Sequence, residues 1–202
     1  MTRPVEEAAK RALDLALAAA GLVVTEPGLG LIALLVRRSS AGPVIFRQER
    51  VGRYGRPFRI HKFRTLRVDA DGPMVTASGD GRVTRVGAVL RRTKLDELPQ
   101  LWDVLRGEMS LVGPRPEVPT YAALWPAAER ETILSVRPGI TDPVSLMFRD
   151  EAEDLALAAD PDQHYRTTLL PRKARLYAEY VQTRSLAGDL AILFRTVQTL
   201  LA

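Results

Sequence analysis

The longest apolar run in the chain lies near its start. Ala12 to Val36 reads ALDLALAAAGLVVTEPGLGLIALLV, with Asp14, Thr25 and Glu26 as its only polar side chains. At about 1.5 Å per residue, one straight helix of that length would cross a hydrocarbon layer of roughly 30 Å. Glu26-Pro27 sits near the middle with Gly21, Gly28 and Gly30 close by, a pattern that predicts a break or bend there. The flanks are equally basic, Lys10-Arg11 before and Arg37-Arg38 after, so the positive-inside tendency favours both ends on one face of a membrane. A re-entrant helix over residues 1–40 meets both observations, and a simple span meets neither well. A cleaved signal peptide is disfavoured because no small-residue cleavage site follows a compact apolar core. A buried helix of a soluble domain competes, since Asp14 and Glu26 are unusual in lipid, and a single spanning anchor stays open.

After a loop at residues 39–43, PVIFRQERVGRYGRPFRIHKFRT predicts two extended segments around a turn at Gly55. Val44, Phe46, Phe58 and Ile60 form its apolar face, and Arg47, Arg50, Arg53, Arg56 and Arg59 point outward or towards a ligand. Residues 69–80 are a Gly/Asp-rich loop. Thr84 to Arg92 predicts a short helix with Val86, Val89 and Leu90 inward. Leu98, Leu101, Trp102 and Leu105 then recur at helical spacing, with Pro99 in the first turn and Gly107 at the C-terminal cap, so this helix begins near Leu95. Helical spacing resumes over Val118–Ser135, in an acidic stretch with Glu151, Glu153 and Asp154, and again from Pro171. The last segment, LAGDLAILFRTVQTLLA, is strongly amphipathic and belongs on the core or in a membrane interface. The fold class is α+β, mostly helical: an N-terminal membrane-dipping helix, a short β-hairpin, and a compact helical domain over residues 41–202.

Composition narrows the chemistry. The 202 residues suffice for one domain with a real core and an appended element, and 46% hydrophobic content argues against disorder. A formal charge of +5 suits phosphate-rich partners: nucleotides, nucleic acid or an anionic membrane face. With no cysteine and only His61 and His164, thiolate chemistry and histidine-rich metal sites are excluded.

The candidate chemistry centres on Asp96-Glu97. At a helix N-terminus, free N–H groups and the helix dipole favour ionised carboxylates and can also receive a phosphate. Arg82, Arg85, Arg91, Arg92 and Lys94 precede the pair, and Arg106 and Arg115 follow it. A carboxylate attacking a phosphate is an anion meeting an anion, so such chemistry needs nearby cations or a metal. A rigid Gly-Pro-Arg-Pro turn holds Arg115 at a fixed angle suited to bidentate phosphate recognition. The bland alternatives are a solvated helix end and a tight turn whose arginine faces water.

The full string DELPQLWDVLRGEMSLVGPRPE closely resembles the signature of the bacterial sugar transferases, the monotopic polyprenyl-phosphate phosphoglycosyl transferases. KFRT at Lys62–Thr65 and VRPGIT ending at Thr141 match further motifs, so the resemblance covers nearly the whole chain and is weakest between Asp142 and Tyr165. It implies transfer of sugar-1-phosphate from a nucleotide-diphosphate sugar, such as a UDP-sugar, to polyprenyl (undecaprenyl) phosphate with release of UMP. Asp96 is implied as the nucleophile that forms an aspartyl-phosphosugar, Glu97 as the ligand of Mg2+, and Lys62, Arg91, Arg115 and, less firmly, Arg137 as phosphate-binding cations. The resemblance also implies a helix break at Pro27, with Glu26 standing where a serine is usual. It implies a place at the cytoplasmic face of the bacterial inner membrane, contact with anionic phospholipid, a possible homodimer and no nucleic-acid partner. Asp142-Pro143-Val144-Ser145 departs from the usual continuation after this motif and leaves the sugar open. The rival reading is a non-enzymatic, basic, membrane-attached protein that binds anionic lipid or nucleic acid; it leaves the Asp-Glu and Gly-Pro-Arg-Pro arrangement unexplained.

Overall fold

A computed structural model describes residues 4–201 apart from 71, 73, 74 and 149. Helix α1 runs from Pro4 to Ser39 as a single element of 36 residues, and among the described residues it alone is long and apolar enough to cross a membrane. One stripe of it docks on the rest of the protein: Asp14, Ala18, Ile32 and Val36 are buried, with Glu7, Arg11, Gly21, Thr25 and Leu29 partly covered between them. Those steps of three and four residues trace one face of a continuous helix. The other faces are just as apolar, and Val23, Val24 and Leu31 are exposed. Only 11% of its most apolar window is buried, whereas the core helix of a soluble domain would bury most of it.

Helical structure is not interrupted at Glu26-Pro27, where the helix runs on through the proline, and the bend expected there is compatible with such a helix. Glu26, Pro27, Gly28 and Gly30 are all exposed. Thr25 and Leu29 remain on the docked stripe to either side. Thr25 Oγ1 also donates to the Gly21 carbonyl at 2.7 Å, inside the same turn.

Asp14, the acid out of place in lipid, faces the protein instead. Its carboxylate accepts from Ser110 Oγ at 2.8 Å and from the Leu111 N–H at 3.1 Å. One turn earlier Lys10 pairs with buried Asp189 at 2.7 Å, and Asp189 also accepts from Tyr180 Oη at 2.7 Å. Arg11 donates to the Val104 carbonyl at 2.9 Å, and Glu7 pairs with Arg184. The N-terminal half of α1 is thus fastened by polar groups, and the C-terminal half by apolar packing of Ile32 and Val36 with Phe63 and Leu90.

Strands β1 (Ile45–Val51) and β2 (Pro57–Phe63) form the expected antiparallel hairpin. Phe58 and Ile60 are buried, but Phe46 is exposed, and partly buried Ile45 takes the inward place assigned to it. Thr84 caps α2 (Arg85–Arg92), its Oγ1 accepting from the Gly87 N–H at 2.9 Å. A short 3-10 turn (Leu95–Glu97) leads to α3 (Gln100–Leu105) and β3 (Ser110–Val112). The helical stretch expected over Val118–Ser135 is two helices, α4 (Pro119–Ala122) and α5 (Ala127–Leu134), divided at Trp125-Pro126 because proline cannot extend the first. They form the crossover to β4 (Gly139–Thr141), which pairs with β3 in parallel. The two chains approach so closely that a Cβ on Gly139 would lie 2.1 Å from the Gly113 nitrogen.

Asp142 accepts from the Ser145 N–H at 2.7 Å and caps α6 (Pro143–Met147). Helices α7 (Glu151–Leu157) and α8 (Pro161–His164) follow. A π-type turn (Tyr165–Leu169) joins α8 to α9 (Leu170–Thr183). The chain ends in α10 (Leu186–Leu201), which packs Ile192 and Leu193 inward and exposes Leu190, Phe194 and Val197. Two apolar clusters organise this domain: one around Tyr121, Trp125, Tyr165 and Leu170, the other around Phe58, Ile60, Val104 and Met109.

Asp14→Ala would leave the buried Leu111 N–H without an acceptor, a loss of about 1–3 kcal/mol. Thermal unfolding in detergent should show a clear drop for Asp14→Ala and a smaller one for Asp14→Asn. Equal stability of both variants and the parent would contradict this docking of α1.

Candidate active site

The turn that carries Asp96 follows from two local constraints. Lys94 adopts a left-handed conformation (φ 56°) that stops α2 and reverses the chain without a loop. Pro99 has no N–H to return to Leu95, so the next turn closes by shorter bonds: Leu98 N–H to Leu95 O at 3.3 Å and Leu101 N–H to Leu98 O at 3.1 Å. The helix expected from Leu95 thus opens as a 3-10 turn and becomes α-helical at Gln100. Gly107 (φ 85°) ends it, as its place in the pattern predicts.

Glu97 is clamped. Lys62 Nζ donates to its Oε1 at 2.8 Å, and Arg115 donates to Oε1 at 2.5 Å and Oε2 at 3.4 Å. Burial works against its charge, but Arg115 and Lys62 outweigh that and hold its carboxyl well below the usual range. Burial also drives the Lys62 ammonium down to about 8, against the pull of Glu97. Asp96 differs. It is buried, and its Oδ1 has no hydrogen-bond partner. Burial first, and the adjacent Glu97 charge second, raise its pKa, while Lys62, Lys94 and Arg115 pull the other way. The turn is short, so burial and neighbouring charge act on this carboxyl alongside the helix end expected to favour its charge.

Lys62 reaches Glu97 because Asp103 of α3 holds β2. Its carboxylate accepts the His61 N–H at 2.9 Å and meets His61 Nδ1 at 2.6 Å. Arg91 donates to Thr65 Oγ1 at 2.8 Å and feels the charges of Asp96 and Asp80, while burial lowers its pKa. Its helix comes this close because residue 87 is glycine: a Cβ there would lie 2.2 Å from the Thr65 carbonyl oxygen. Lys62, Arg91 and Arg115 are therefore brought round the acid pair. Arg137 is not. It donates to the Gly107 carbonyl at 2.9 Å and sits beside Arg11. Glu26 and Pro27 lie on the exposed face of α1, outside this cluster.

Glu97 and Arg115 open onto a cavity of about 500 Å3, large enough for a nucleotide-sized ligand. Several of its groups escaped the sequence reading. Arg50, taken as one of a basic ribbon, turns inward to the Pro116 carbonyl at 3.1 Å and Glu117 at 3.3 Å. Tyr165 Oη donates to Glu117 at 2.5 Å, and Lys173 pairs with Glu151 at 2.6 Å. Lys173 could have been noticed: it is a cation on the buried stripe of Leu170, Ala174 and Tyr177. Among the described residues no three acidic or histidine side chains converge. A metal held here would rely on the Asp96-Glu97 oxygens plus phosphate oxygens of a ligand, and the partnerless Asp96 Oδ1 fits that oxygen-only donor set. Chemically, the arrangement offers a desolvated carboxylate within a ring of cations, suited to attack on a phosphorus atom.

Comparison with known proteins identifies the family. The family model described as bacterial sugar transferase matches residues 5–202. A UDP-glucose:undecaprenyl-phosphate glucose-1-phosphate transferase of Caulobacter vibrioides is 41% identical, over 95% of this chain and 69% of its own length. A namesake in Escherichia coli K12 is 39% identical, over 93% of this chain and 39% of its own. The UDP-N-acetylgalactosamine-undecaprenyl-phosphate N-acetylgalactosaminephosphotransferase of Aeromonas hydrophila is 34% identical, over 98% of this chain and 45% of its own. The chain thus spans less than half of the last two relatives. With its match running from residue 5 to residue 202 and through every element of the acid–cation cluster, the chain belongs to the bacterial sugar transferase family.

Proposed function

We propose that this protein moves sugar-1-phosphate from a nucleoside diphosphate sugar to undecaprenyl phosphate, at the membrane step that begins assembly of an exopolysaccharide or related glycan. The observation that carries this reading is the division between two adjacent acids: Glu97 clamped through Oε1 by Lys62 and Arg115, and buried Asp96 left with an oxygen that has no hydrogen-bond partner. The names of the relatives favour a UDP-sugar donor and UMP as leaving group.

In the first step an Asp96 oxygen attacks the sugar-side phosphorus. A P–O bond forms to aspartate, the bond to the bridging oxygen breaks, and nucleoside monophosphate leaves with that oxygen. In the second step an oxygen of the lipid phosphate attacks the same phosphorus and the aspartyl P–O bond breaks, which restores the carboxylate. Lys62, Arg91 and Arg115 hold the phosphate oxygens and absorb developing charge. A carboxylate whose proton affinity is raised by burial is a better nucleophile than an exposed one, and it needs no general base while it stays ionised. Mg2+ held through Glu97 would supply further neutralisation of the diphosphate. The exposed apolar faces of α1 and α10 support attachment to a membrane, and in this reading the acid–cation cluster works at its cytoplasmic face.

Asp96→Asn keeps the shape of the side chain and removes the nucleophile, so nucleoside monophosphate release in the presence of lipid acceptor should fall by about 10^3-fold or more. Activity within tenfold of the parent would remove the assignment. The second expectation concerns pH. Lys62 is a cation below about 8 and neutral above it, so kcat/KM for the sugar nucleotide should fall as pH rises through that value. Lys62→Arg, whose charge persists to about pH 12, should abolish that fall; an alkaline limb that survives the substitution would assign it elsewhere.

A further inference from the structure

The cavity has two unlike walls. On one side stand the charged and aromatic groups Arg50, Glu117, Tyr165, Glu151 and Lys173, on elements packed into the cluster around Tyr121 and Leu170. On the other stand Leu98, Leu101, Ile140, Thr199 and Leu200, with Arg92 and Lys94 next to Leu98 at the end nearest the acid pair; apolar Val118, Phe148 and Leu155 also line the space among the charged groups of the first side. Glu97 and Arg115 also line this space.

The uncharged wall is built from the elements next to the exposed apolar surfaces. Leu101 lines the cavity and also touches α1: a Cβ on Gly21 would lie 3.1 Å from its Cδ1. Ile140 and Leu101 both pack on the second cluster, with Ile192 and Leu193 of α10. Thr196 of α10 bonds Thr141 of β4 at 2.8 Å and brings Thr199 and Leu200 to the cavity, while Phe194 and Val197 on the same helix remain exposed. Apolar side chains therefore run from the docked stripe of α1, through Leu101, and from α10 into the cavity.

We propose that this uncharged wall is the acceptor lane: Leu98, Leu101, Ile140, Thr199 and Leu200 hold the first isoprene units of the lipid phosphate as its head reaches Asp96. The inference rests on the transfer reaction proposed above and adds where its second substrate lies. A hydrocarbon chain gains by staying against apolar groups, and a phosphate gains by meeting Arg115 and Lys94, so a lane ending at those cations satisfies both ends of one molecule. The sugar nucleotide, with hydroxyls and no hydrocarbon tail, matches the charged wall. The same phosphorus atom is then approached from two sides in turn.

Thr199→Trp narrows the lane and touches none of the cations. The two steps are read separately: the burst of nucleoside monophosphate with donor alone reports the first, and transfer to undecaprenyl phosphate reports the second. The expected result is a burst rate within twofold of the parent, with transfer slowed by about tenfold or more. A short-chain, water-soluble isoprenyl phosphate should be less affected than the long one. Equal loss in both steps, a raised KM for the donor alone, or no change in either step would overturn the lane. If the parent protein releases no nucleoside monophosphate even with donor and lipid together, the transfer reading fails and the lane falls with it. If the parent turns over but gives no burst, only the covalent step fails, and the KM for lipid phosphate still decides the lane.

Discussion

The pairing of Glu97 with Lys62 and Arg115 is the interaction on which the site depends. Each participant comes from a different element: the turn before α3, the end of β2, and the turn after β3. An unpaired charge in such a place would be costly, and with its cations it becomes a fixed point around which three segments are registered. Because Glu97 takes both cations, Asp96 next to it is left with neighbouring charge and no direct partner. A buried carboxylate oxygen without a hydrogen bond works against stability, and that reactivity is what a nucleophile requires.

A second polar network ties this site to the long apolar helix. Asp14 binds Ser110 and Leu111 in β3, and β3 runs directly into the Gly-Pro-Arg-Pro turn that carries Arg115. Lys10 and Asp189 extend the same fastening to α10. The two helices with exposed apolar faces are thereby held in fixed relation to the cations, which in the proposed transfer sets the depth at which a lipid-borne phosphate would meet Arg115. Polar fastening suits this role, since apolar contacts between a helix and a domain resist sliding less than directional bonds do.

Much of this was legible in the residues. Proline, glycine and apolar spacing marked the hairpin, α2, the Gly107 cap and the α9–α10 pair, because those signals are local. Asp96, Glu97, Lys62, Arg91 and Arg115 were named as a set, and the fold brings them together. What escaped depended on tertiary environment. Pro27 was expected to break or bend α1, and helical structure runs through it without interruption. Phe46 and Ile45 are adjacent in a strand, and only packing decides which turns inward. Arg137 sits in a motif yet binds the carbonyl that ends α3. Arg50 was left between facing water and facing a ligand, Glu151 was read only as part of an acidic stretch, and Lys173 was not singled out, since nothing local in a sequence distinguishes a charge facing water from one facing a cavity. Asp142, conspicuous as a departure, is a helix cap.

The account stands on covalent capture at a single side chain. The most direct measurement is the intact mass of the purified protein after mixing with a UDP-sugar and Mg2+ in the absence of lipid acceptor, followed by mapping of the modified peptide. The expected result is a gain of one sugar phosphate, confined to the peptide containing Asp96 and lost when undecaprenyl phosphate is added. An unmodified mass in protein that turns over with both substrates, or an adduct on any other residue, would contradict it.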